Sequence, residues 1–237
     1  MPPTAPATSP RASRQSATSQ SAAAPLPGVS RLVLLASKQY RRYSEADVIE
    51  LADGRLLVAI GDVAGHSIHA ATVMVELRHA LRAYAVEDRD PAELVALLER
   101  MLMRYHRREF ATLCVLLLDP AANELRVVNA GHLPPLLVDE DGARYLDVYG
   151  RMLGLGGARP PSTAYVLPAR WSIVLVTDGL IEVPGVDLET TMEGLRAAVR
   201  LDVEPEQLCV ELLERFSRRL DDIALLVLRK PSASLSA

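Results

Sequence analysis

The stretch Leu56–Ala71, LLVAIGDVAGHSIHAA, governs how this chain is read. An apolar run closes on Gly61-Asp62, and past Gly65 the pattern turns helical. A carboxylate at the end of a buried strand is costly unless a partner meets it. Asp62 is therefore either a turn or cap residue or part of a site. The flanking glycines leave the same two readings open. Without side chains they let backbone approach a ligand, or they merely serve tight turns.

Working outward, RLVLLAS (31–37), ADVIEL (46–51) and RLLVAIGD (55–62) read as strands, with ADG as the turn between the last two. Two helices follow. The first covers 68–86, with Val73, Val75, Leu77 and Leu81 at helical spacing, and the second covers 91–109, with Asp90 as N-cap and Pro91 at its first position. The short linker EDRD predicts antiparallel packing of the pair. Strands are expected at 110–119, 124–130, 134–139, 143–148, 162–168 and 171–179, then helices at 188–200 and 205–219, and a closing strand at 221–230. Strands adjacent in sequence favour mainly antiparallel sheets. About nine strands and two helix pairs predict an α+β fold of two packed sheets covered by helices on both outer faces.

The chain has 237 residues, 49% apolar and 24% charged, with a net charge of −4. That balance suits a globular domain and gives no sign of a nucleic-acid binder. Cys114 and Cys209 each sit in an apolar pattern, so buried free thiols in a reducing, cytoplasmic compartment are expected rather than a disulfide framework. The longest apolar run, ATLCVLLL, is too short to span a bilayer. Residues 1–29 are rich in Pro, Ala, Ser and Thr and contain no acid, and they lack the apolar core of a secretory signal. An organellar transit peptide shares this look, but a disordered tail is the reading adopted, because so little apolar surface cannot offset ordering entropy. The domain is expected over 30–230, with 231–237 a flexible C-terminus.

Three aspartates share one context: Asp62 ends LLVAIGD, Asp178 ends SIVLVTD, and Asp221 opens DDIALLVL beside Asp222. Each stands where an apolar strand meets a loop, so all three can gather at one end of a sheet. Clustered carboxylates repel one another unless a cation sits between them, and oxygen-only clusters suit hard cations such as Mg²⁺ or Mn²⁺.

GDVAGHS, FATL, NAGHLPPLL, LGL, LVTDGLIE and DDIALLVL occur here in order. In that order and spacing the chain resembles the PPM-type metal-dependent protein phosphatases, in the branch of sporulation stage II protein E and the RsbU-like phosphatases. The resemblance covers roughly residues 31–230 and implies a four-layer α/β/β/α sandwich with two Mn²⁺ or Mg²⁺ ions at one end of the sheets. It also implies hydrolysis of phosphoserine or phosphothreonine on a regulatory protein of the anti-anti-sigma-factor type, by metal-activated water and without a protein nucleophile. Carried over by position, Asp62 resembles the ligand bridging both metals, the Val63 carbonyl adds to one of them, and Asp178 and Asp221 resemble further ligands of the first metal. His132 is read as a loop organiser, while His66 stands where family members carry Lys or His. Arg41 and Arg42 are read as a solvated basic edge, with help in binding phosphate as the other reading. The partner is a phosphoprotein, with no nucleic acid and no membrane, and a homodimer is compatible with the reading.

The family usually reads Gly-Gly-Asp-Phe-Tyr-Asp, its first aspartate eighteen residues before the bridging one. Here RYSEAD stands in its place, so Ser44 occupies that position and only Asp47 keeps its counterpart. Glu45 and Asp47 point to the opposite face of a regular strand, and only a bulge or a shifted register would bring one round to replace the missing aspartate. Ser67 also replaces the usual glycine after GDVAGH. Three aspartates against two dications leave one excess positive charge, so the second metal is expected to bind weakly. A degenerate member that binds a phosphoprotein without turnover is the alternative reading.

Overall fold

The computed structural model describes residues 46–65, 67–158, 161–216 and 223–230, together with the backbone of strands 18–21 and 31–37. The strands are β1 (Thr18–Ser21), β2 (Arg31–Ser37), β3 (Ala46–Glu50), β4 (Leu56–Val63), β5 (Ala111–Asp119), β6 (Glu124–Ala130), β7 (Leu136–Asp139), β8 (Gly142–Tyr145), β9 (Thr163–Val166), β10 (Ser172–Val176) and β11 (Ile223–Arg229). The helices are α1 (Ile68–Ala85), α2 (Pro91–Tyr105), α3 (Asp178–Ile181), α4 (Leu188–Ala198) and α5 (Pro205–Phe216). One sheet runs β1-β2-β11-β10-β7-β8 and the other β3-β4-β5-β6-β9, with every strand pair antiparallel. β1 falls within the first 29 residues, where the sequence reading expects no structure, and it pairs along the outer edge of β2. The rest of that tail and residues 231–237 lie outside the described residues.

Alternation on β4 builds the layers. Leu56, Val58 and Ile60 face the other sheet, while Leu57 and Ala59 face the helices, so both faces of the strand are apolar. Between the sheets, Val58, Ile60, Leu116 and Val127 meet Trp171, Ile173, Leu175 and Leu226. On one outer face α1 and α2 bury Val73, Leu77, Leu94 and Leu98 against Leu57, Val115 and Val128. On the other, α4 and α5 bury Leu195, Leu208 and Leu212 against Val174, Leu225 and Val227. The result is the expected α/β/β/α sandwich.

Local chemistry explains the helix starts. Asp90 Oδ1 accepts the Ala92 N–H at 2.8 Å with Pro91 at the first position, as the sequence predicts. Ser67 finds its role in the same way: its hydroxyl accepts the Ala70 N–H at 3.0 Å and caps α1, which a glycine could not do by side chain. Several boundaries move, and two of the shifts have a visible local cause. The helix expected over 91–109 stops at Tyr105, because His106 leaves helical geometry and the chain turns through a Glu109 N–H to His106 carbonyl bond into β5. The strand expected over 171–179 stops at Val176, and Asp178 opens the short helix α3. Both cysteines are buried and free, and burial pushes the Cys209 thiol up to about 12. No described helix is long and apolar enough to cross a membrane.

Candidate active site

Asp62 is the penultimate residue of β4 and is half-buried. By alternation it follows Val58 and Ile60 onto the face that looks toward the other sheet. Its own N–H donates to Thr112 Oγ1 at 3.2 Å, across the pairing of Asp62 with Thr112 on β5. Gly61 serves that pairing, since a Cβ there would collide with the Thr112 carbonyl oxygen. Gly65 has φ +100°, a turn geometry that side chains disfavour. Val63 buries its side chain in the layer under α1 and α2.

Thr112 also connects to His132, whose Nδ1 lies 3.0 Å from Oγ1. The loop carrying this imidazole is tied to Asn129 in both directions. The His132 N–H donates to Asn129 Oδ1 at 2.8 Å, and Asn129 Nδ2 donates to the His132 carbonyl at 2.9 Å. Burial pushes the His132 ring down to about 4, and a contact with the Val176 backbone only partly opposes that fall. The ring is therefore neutral at pH 7 and takes no charge to the site. It stands between the sheets, linking the end of β4 and β5 to the end of β10. A loop organiser is what the sequence reading expects of it.

Beyond Val176 the end of β10 is locked to β11. The Thr177 N–H donates to the Ala224 carbonyl at 3.0 Å, and Thr177 Oγ1 accepts the Ala224 N–H at 2.8 Å. Asp178 follows, exposed at the first turn of α3, with Oδ1 accepting the Gly179 N–H at 2.8 Å. The contacts Asp62–Thr112–His132–Val176 run from the tip of β4 to the end of β10, two residues before Asp178. Asp221 and Asp222 lie outside the described residues, as do His66 and the segment Arg41 to Glu45 with Ser44. Among the described residues no group of three His, Cys, Asp or Glu is placed to hold a metal ion. The two described candidates, Asp62 and Asp178, offer hard carboxylate oxygens, a donor type that fits a divalent cation.

Asp47 faces away, as strand alternation predicts. It is buried on the helical side of β3, where Arg82 holds it through Nε and Nη2 at 2.6 and 2.7 Å. Its neighbours Ala46 and Val48 face the inter-sheet core.

The sequence reading passes over three residues that shape this end. Thr112 and Thr177 are polar residues at the ends of apolar strands, a signal already present inside FATL and LVTDG. Glu99 carries a helical signal instead, as an acid at a buried position of α2. Its two oxygens accept the Gly154 and Gly156 N–H groups, each at 2.7 Å. That fixes the LGLGG loop, whose Leu153 pairs with Ala111 at the start of β5.

A family model for stage II sporulation protein E matches residues 52–231. Among solved structures, the chain is similar to the RsbU and RsbW domains of Rv1364c from Mycobacterium tuberculosis, at 31% identity and TM-score 0.73. That match covers 85% of this chain and 62% of the mycobacterial one, so this chain spans less than two thirds of it. The phosphatase domain with a regulatory fragment of SpoIIE from Bacillus subtilis matches at 17% identity and TM-score 0.70, over 84% of this chain and 63% of that one. RsbX in complex with magnesium matches at 16% identity and TM-score 0.66, over 84% and 96% of the two chains. The last two likenesses show the shared fold alone.

Proposed function

Since this chain belongs to the stage II sporulation protein E family of PP2C-type phosphatases, we propose that it removes phosphate from phosphoserine or phosphothreonine on a regulatory protein, in a partner-switching system of the anti-anti-sigma-factor kind. The observation that carries the reading is the contact chain from Asp62 through Thr112 and His132 to Val176, which joins the end of β4 to the end of β10, two residues before Asp178. Asp62, Asp178 and Asp221, with the Val63 carbonyl, are the residues that would hold Mn²⁺ or Mg²⁺. Bound there, the cations supply charge for the phosphoryl oxygens and lower the pKa of water.

The chain's own groups have narrower tasks. The carboxylates of Asp62 and Asp178 set the negative field that makes the strand ends a cation site. Thr112 receives the Asp62 N–H and so holds the tip of β4, and neutral His132 holds Thr112. Neither cysteine suits a nucleophile, because burial keeps both thiols protonated. Attack by water needs no protein nucleophile, which agrees with that inventory. The protein acts in the cytoplasm on this reading.

Ser44 favours a second reading, binding of a phosphoprotein without turnover, because the family's aspartate is replaced there. Hydrolysis of p-nitrophenyl phosphate with Mn²⁺ or Mg²⁺, wild type against Asp178→Asn, separates the two. Metal-dependent turnover lost in the variant supports the enzyme. Wild-type activity no higher than the variant's moves the assignment to binding alone.

A further inference from the structure

Among the described residues, most arginines of this acidic chain are engaged within the fold. Arg55, Arg82, Arg89, Arg126, Arg144 and Arg196 each hold a carboxylate, Arg229 reaches the Ser172 hydroxyl and the Val203 carbonyl, and Arg215 lies over the Phe216 ring. Four do not follow the pattern. Among the described residues, Arg100, Arg104, Arg107 and Arg108 are exposed and have no ion pair or hydrogen bond. All four fall within nine residues at the end of α2 and the turn after it.

Arg100, Met103 and Arg104 are spaced three and four apart, which puts them on one stripe of α2, opposite the buried Leu94, Leu98 and Leu102. Met103, Phe110 and Leu155 add exposed apolar surface, at 45%, 37% and 48% exposure. The three belong together, since the Met103 methyl approaches Gly156 and the Phe110 ring approaches Gly154. This shelf borders the candidate active site: the Phe110 carbonyl accepts the Ala64 N–H at 2.8 Å, two residues beyond Asp62. A helix C-terminus favours one or two cations in its last turn. Four guanidiniums continuing past the helix, interleaved with apolar side chains, exceed that need.

We propose that this shelf is the docking surface for the phosphoprotein substrate, and that the substrate presents an acidic, partly apolar surface beside its phosphorylated residue. The proposal rests on the phosphatase reading for the occupant's phosphate and on charge complementarity for its acidity. A chain of net charge −4 with an aspartate-lined site repels an acidic partner at long range. The shelf reverses that field locally, so it steers approach and fixes orientation. Isolated surface ion pairs contribute little each. Several acting together on one partner change affinity by about tenfold or more.

The test uses the full chain and the variant Arg104→Glu/Arg107→Glu/Arg108→Glu, whose sites are exposed and unpaired, with thermal melts to verify folding. The substrates are p-nitrophenyl phosphate and two phosphoserine peptides, one flanked by glutamates and leucines, the other by lysines and leucines. In the variant, kcat/KM for the acidic peptide relative to the aryl phosphate is expected to fall at least about tenfold, mainly through KM. The wild-type preference is expected to shrink with added salt, because salt shortens the screening length below its value of about 8 Å at physiological ionic strength. If aryl phosphate is hydrolysed and the peptide ratio is the same in both proteins, the docking surface is refuted while the phosphatase reading stands. If wild type hydrolyses nothing, the phosphatase reading fails, and fluorescence anisotropy decides the shelf. Binding of the acidic peptide that the variant loses upholds it, and equal binding overturns it. Loss in the variant of sedimentation with phosphatidylserine vesicles, with the peptides treated alike, would overturn it in favour of a membrane surface.

Discussion

Arg82 grips Asp47 through two near-parallel bonds, Nε to Oδ2 at 2.6 Å and Nη2 to Oδ1 at 2.7 Å, and so pins α1 to β3. Arg78 Nε lies 3.3 Å from the same carboxylate. Burial would raise this carboxyl, but the two guanidiniums outweigh it and hold it below the usual range. Asp47 therefore stabilises the fold above about pH 4, and that contribution fades as pH falls through its lowered folded value. Asp47→Ala is expected to cost roughly 2 kcal/mol, below the figure for a fully buried pair because Arg82 is half-exposed. Chemical denaturation at pH 7 measures it. Metal-dependent turnover of the folded fraction should change little, and loss of turnover without loss of stability would put Asp47 in the site after all.

His132 carries the opposite pH signature to a surface histidine. Its folded value of about 4 lies below the ordinary 6.5, so the folded state resists a proton that the unfolded chain accepts. Its contribution is complete above pH 6.5 and is lost as pH falls toward 4, on the order of 3 kcal/mol in the limit. Melting temperatures of wild type and His132→Gln, followed from pH 7 to pH 4, should converge. A constant gap would mean that the ring is not held neutral.

Ligand binding to the native state raises thermal stability with ligand concentration. Mn²⁺ and Mg²⁺ are accordingly expected to raise the melting temperature of the wild type in a concentration-dependent way. Asp62→Asn should remove this response more completely than Asp178→Asn, if Asp62 bridges two ions. Indifference of the wild type to both metals would withdraw the assignment of Asp62, Asp178 and Asp221.

Ser44 offers a gain-of-function test. A carboxylate at that position adds a hard oxygen ligand and cancels the one excess positive charge left by three aspartates and two dications. Ser44→Asp is expected to tighten Mn²⁺ binding by about tenfold or more, the scale on which even outer-sphere ligand changes act, and to raise turnover of aryl phosphate. Calorimetric titration with Mn²⁺ and steady-state kinetics report the two effects separately. No change in either would show that the second metal site does not use this position.

How much of this was legible in the sequence depends on how far apart the interacting residues lie. Alternating apolar runs gave the strands, Asp90-Pro91 gave the start of α2, and ordered motifs at strand ends gave the fold class and the candidate aspartates, because each depends on neighbours a few residues away. The orientation of Asp47 was also readable, since strand alternation has a fixed period of two. Tertiary structure decided the rest. The bond from Asp62 to Thr112 crosses 50 residues, that from Thr112 to His132 crosses 20, and Glu99 reaches the Gly154 N–H across 55. The short helix at Asp178 likewise replaces the end of a strand once Thr177 bonds to Ala224. The arginines show the limit most clearly. Arg82 and Arg104 sit on similar helices in similar sequence, yet one is neutralised by an aspartate 35 residues away and the other faces solvent without a partner among the described residues. Charge is written locally, but whether it is spent inside the fold or left for a partner is settled only when distant segments meet.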